Sequence, residues 1–72
     1  MEKVKEFNIV DIDGCEFIST KAVGRAMISF HYDEAGCETG DILVVYPDAS
    51  WKVVDWQKAQ KHIDSGDWTV YR

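Results

Sequence analysis

Cys15, His31, Cys37 and His62 make up a two-cysteine, two-histidine inventory, the thiolate and imidazole set that zinc prefers. Structural zinc sites bring such ligands into tight knuckles, with cysteines and histidines paired a few residues apart. Here the four are scattered, with only His31 and Cys37 moderately close, so no metal is expected. A Cys/His nucleophilic pair would need a cleft, an activating environment and a third orienting group, and nothing in the sequence brings Cys37 and His62 together. Acid and base work by two carboxylates requires one of them in a dry pocket with a raised pKa, whereas these carboxylates lie among turn and surface residues. "GCETGD" has two glycines but no lysine, and neither the Walker nor the dinucleotide spacing. No catalytic residue, cofactor or metal site is therefore expected.

Charge and aromatic content point elsewhere. The net charge of −5 resides in residues 26 to 51, which hold Asp33, Glu34, Glu38, Asp41 and Asp48 and no lysine or arginine. Such a field repels nucleic acid and membrane surfaces. The eight basic residues are dispersed along the chain and form no phosphate-tracking groove. Three tryptophans, three tyrosines and three phenylalanines are more ring area than a small core swallows whole, and tryptophan and tyrosine are enriched where protein partners anchor. The residues expected at a protein interface are Trp51, Trp68 and Tyr71, flanked by Asp48, Asp41 and Glu38.

These residues must be positioned by one small domain, residues 1–72. A chain of this size buries only about 60% of the surface its unfolded form exposes. No apolar run approaches the roughly 18 residues of a membrane helix, and the start "MEKVKEFNIVDIDG" mixes charges with apolar residues in place of a signal-peptide core. A cytoplasmic protein is expected. Two cysteines are too few for a secreted disulfide framework, which leaves reduced thiols as the reading and a single bridge open.

Residues Val4 to Ile12 read as a strand, "DIDG" as its turn and "CEFIST" as the returning strand of a hairpin. Residues 20–25 are a turn or a short helix, weakened by Gly24. "AMISFHY" alternates as a half-buried strand, with Ala26, Ile28, Phe30 and Tyr32 on one face and Met27, Ser29 and His31 on the other. "DILVVYP" is a short β-branched run suited to a central strand, and "VVYPDASWKVVDW" a hairpin with a longer loop that puts Trp51 and Val53 on one face and Val54 on the other. Asp55 is placed to cap a helix at about 56–65, stopped by Gly66, whose inward stripe is Trp56, Ala59, Gln60 and Ile63. Trp56 is thus expected in the core, with Trp51 and Trp68 partly exposed. "DWTVYR" closes as a strand at a weakly guarded sheet edge, open to a homodimer seam or a partner, or else paired beside the first hairpin.

The order predicts an α+β domain, a twisted, mostly antiparallel sheet of four to six strands with the C-terminal helix across one face. "ETGDILVV" followed by a tryptophan resembles a stretch of the SH3 family, in which a glycine-aspartate pair leads a core strand towards an aromatic surface. That resemblance covers under a fifth of the chain and implies, as the alternative architecture, a small SH3-like β-barrel with an inserted helix. The early tyrosine-rich strand, the doubled tryptophan and the closing proline-serine-asparagine-tyrosine pattern of that family are absent, so proline-peptide binding is not expected.

The function expected is that of a non-enzymatic protein-binding module, a small regulator or inhibitor of the kind phages and mobile elements encode. An acidic decoy that blocks a DNA- or RNA-binding enzyme is the alternative, and a small metal-dependent or thiol enzyme the third class.

Overall fold

The computed structural model describes all 72 residues. It contains β1 (Lys3–Val4), a 3-10 turn (Ile9–Asp11), β2 (Cys15–Thr20), β3 (Gly24–Tyr32), β4 (Glu38–Val45), β5 (Trp51–Asp55), α1 (Trp56–Asp64) and β6 (Trp68–Tyr71). The six strands form one antiparallel sheet in the order β1-β6-β2-β3-β4-β5, and α1 packs on one face of it. This is the α+β architecture read from the sequence. The sheet is open, ending at β1 and β5, so the barrel alternative does not hold.

One face is the core. Ile18, Ala26, Ile28, Ile42, Val44, Trp68 and Val70 stand on it, and Ala59 of α1 with Phe7, Ile9 and Ile12 of the N-terminal segment cover them. Residues directly opposite in a ladder share a face, and the pairs Ile18–Val70, Ile18–Ala26, Ile28–Val44 and Ile42–Val54 carry this apolar set across the strands. Asp55 caps α1 by accepting from the Gln57 N–H at 2.8 Å, and Gly66, at φ +82°, takes the left-handed position that ends it. Between β2 and β3 the chain reverses in a tight turn, where Gly24 adopts φ +79° and the Thr20 hydroxyl accepts from the Val23 N–H at 3.0 Å.

Four expectations are corrected. The N-terminal hairpin does not form: β1 is two residues long and pairs with β6, and Phe7, Ile9 and Ile12 enter the core from a loop and a 3-10 turn. Their dense, non-alternating spacing signals burial without strand geometry. β6 is interior, between β1 and β2, so its backbone is not a free edge, and the pairing beside the first strands is the outcome. β4 lies next to the β5 edge and is not central, although Ile42 and Val44 are fully buried. Tyr32 is exposed because a register shift between Phe30 and Tyr32 breaks the alternation of β3.

Two polar clasps fix the N-terminal segment. Gln60 on α1 accepts from the Ile9 N–H at 2.8 Å and donates to the Phe7 carbonyl at 2.9 Å, so one side chain stands in for a missing strand partner. Arg72 donates through Nε and Nη2 to the two carboxylate oxygens of the buried Glu16, at 3.0 and 2.9 Å, and through Nη2 to the Asp11 carbonyl at 2.8 Å. Its guanidinium also lies 5.1 Å from the centroid of the Phe7 ring. The Arg72 hydrogen bonds hold the Glu16 carboxyl below its ordinary pKa, against the opposing effect of burial.

A candidate protein-interaction face

The sheet face opposite α1 is uncovered, and the ladder registers define what it presents. Lys3 pairs with Tyr71, Tyr71 with Phe17, Phe17 with Met27, Met27 with Val45 and Val45 with Trp51. Opposed residues point the same way, so Tyr71, Phe17, Met27, Val45 and Trp51 form one row across five neighbouring strands. A second row runs beside it through Cys15, Ser29, Leu43 and Val53. An antiparallel sheet with one solvated face ordinarily turns polar residues outward. This one turns outward an aromatic and aliphatic row in which Trp51 is 65% exposed and Phe17 46% exposed.

The margins of the face differ in charge. Arg25 stands two residues before Met27 on β3, opposite Ser19. Asp41 and Asp55, opposed to each other, stand beyond Leu43 and Val53 at the other margin. Along the Arg25 side, a hollow of about 580 Å³ opens between Phe17, Met27, Val45, Pro47 and Tyr71.

The expected interface residues are therefore divided. Trp51 and Tyr71 share the uncovered row, and Asp41 is at its margin. Asp48 lies in the β4–β5 turn, where hydrogen bonds from the Ser50 hydroxyl and N–H hold its carboxyl below the ordinary pKa. Glu38 opens β4 at the far end of the β3–β4 hairpin. Trp68 is a correction: it is only 5% exposed, because its register opposite Thr20 places it on the core face, where its ring stacks on His62 at 4.7 Å. Trp56 is the converse correction. At 44% exposure it overhangs the sheet end beside Gly40, which offers no side chain to pack against, and it lines a small hollow with Ile9, Val10, Phe30 and Ile42. Phe17, Met27, Leu43 and Val45 were not singled out from the sequence. For Leu43 and Val45 the signal is the unbroken run "ILVVY", since a strand apolar at every position has two apolar faces; Phe17 and Met27 lie outside that run and join the row through strand register.

The residues with catalytic or ligating chemistry stay apart. Cys15 and Cys37 are both free and exposed. His31 shares a 2.8 Å hydrogen bond with the Thr39 hydroxyl in the hairpin, and His62 Nδ1 lies 2.6 Å from Asp67 Oδ2 at the end of α1. No three cysteine, histidine or carboxylate side chains gather where a metal ion could be held. No helix is long and apolar enough to cross a membrane. Comparison of the chain with protein-family models, with curated proteins and with solved structures found no match.

Proposed function

We propose that the protein is a non-enzymatic protein-binding module, a small regulator or inhibitor, whose docking surface is the uncovered sheet face. The observation that carries this reading is the row Tyr71, Phe17, Met27, Val45 and Trp51, which crosses five strands without a charged residue and with no helix over it. Contiguous apolar surface of this kind on a soluble chain marks an interaction site. Trp51 and Phe17 serve as anchors, and Asp41 and Asp55 as polar rim.

The test is affinity capture with tagged parent, with Phe17→Asp and with Val10→Ser as a control on the other side of the sheet, untagged copies of the chain being present. A stoichiometric protein held by parent and control, lost with Phe17→Asp and retained in high salt, is the expected result. No stoichiometric protein, or one that Phe17→Asp still holds, overturns the reading. Capture of a nucleic-acid enzyme that salt abolishes and Phe17→Asp does not would establish the acidic decoy instead.

A further inference from the structure

We infer that the protein docked on this face is a second copy of the same chain, an inference that rests on the face being a docking surface. A closed pair requires a surface that complements itself under a two-fold axis, and for two sheets packed face to face that axis lies in the plane between them. Consider an axis running across the strands, between the row of Phe17 and the row of Cys15. It reverses strand direction while keeping each strand over its own counterpart. On three strands a bulky residue then falls on a smaller one, Phe17 over Cys15 of the second copy, Met27 over Ser29 and Trp51 over Val53, while on β4 Val45 falls on the larger Leu43. Two faces of such alternating height interdigitate at the spacing of about 10 Å that packed sheets adopt.

The same rotation brings together margins of opposite charge. Arg25 lies one step to one side of the Phe17 row, and Asp41 and Asp55 lie one step beyond the Cys15 row, on the other side. The axis midway between those rows carries Arg25 towards the acidic margin of the second copy, twice by symmetry. The hollow beside Arg25 receives the Leu43 side of the second copy in the same movement. Strand spacing and rise give the face a span of about 20 Å in each direction. With its side chains standing off the sheet, that is on the order of the 800 Å² per partner buried in a standard specific interface. Each copy carries −5, and this repulsion is screened within about 8 Å at physiological ionic strength.

Sedimentation equilibrium on the purified chain, from low micromolar to near-millimolar concentration, tests the inference. The parent is expected as a reversible dimer, and Phe17→Asp as a folded monomer by circular dichroism. Arg25→Glu should weaken the dimer by about tenfold, and adding Asp41→Arg to it should restore the affinity. A parent that stays monomeric throughout overturns the second copy, and leaves the face reading to stand or fall on capture of a different protein lost with Phe17→Asp. A dimer that survives Phe17→Asp, or that Arg25→Glu leaves unchanged, places the seam elsewhere and overturns the inference.

Discussion

At the scale of single residues, two tryptophans exchange the roles that local pattern assigns them. Trp68 sits in an alternating strand that looks exposed, yet its register opposite Thr20 turns it under α1 against His62. Trp56 heads the apolar stripe of the helix, yet it stands where the sheet has run out. Truncating Trp68 to alanine should therefore cost about 3–5 kcal/mol, and truncating Trp56 about 1 kcal/mol. Urea unfolding of the two variants checks the ranking, and equal losses would refute it. Glu16 provides a second residue-level test. Its folded pKa is depressed by Arg72, so the pair's contribution is fully present above the unfolded carboxyl value of 4.5 and is lost as pH falls through the lower folded value. Thermal melts of the parent should drop more steeply than those of Glu16→Gln as pH falls below that point. Parallel profiles would show that the clasp contributes no linkage.

At the scale of elements, the parts that were legible are those set by local chemistry. The helix, its Asp55 cap and its Gly66 stop follow from side chains adjacent in sequence, and so does the long β4–β5 loop, whereas residues 20–25, open between a turn and a short helix, form the β2–β3 turn at Gly24. In that loop the left-handed position falls to Ala49, at φ +70°. What was not legible depends on partners distant in the chain. Nothing near Trp68–Tyr71 tells that β6 inserts between β1 and β2, and nothing near Phe7–Ile12 tells that an apolar stretch is held by a glutamine 51 and 53 residues away. The sequence places Gln60 on the inward stripe of the helix but does not say what its amide bonds. Its replacement by alanine leaves the Ile9 N–H and the Phe7 carbonyl without a partner, and should cost about 1–3 kcal/mol. Hydrogen exchange should show the loss at the Ile9 amide first. Unchanged protection there would remove Gln60 from its anchoring role.

At the scale of the whole molecule, the fold spends one face of its sheet on a core and leaves the other apolar and bare. The composition of the uncovered face was half legible for that reason. Trp51 and Tyr71 stand on the row, but Phe17, Met27 and Val45 join them only through the register of five strands. Among the acidic residues, Asp48 accepts from Ser50 in its own turn and Asp33 from the Ala35 and Cys37 N–H groups, so both carboxylates also hold the loops they stand in. Covering the face buries apolar area at roughly 25 cal/mol per Å² removed from water, before the cost of association.

Hydroxyl-radical footprinting reads that coverage side chain by side chain, comparing the free chain at high dilution with the chain in its complex. Phe17, Met27 and Trp51 should lose reactivity together on complex formation, while Val10 and Trp56, on the other side of the sheet, keep theirs. A complex in which Val10 and Trp56 are protected and the Phe17 row stays reactive would contradict the account.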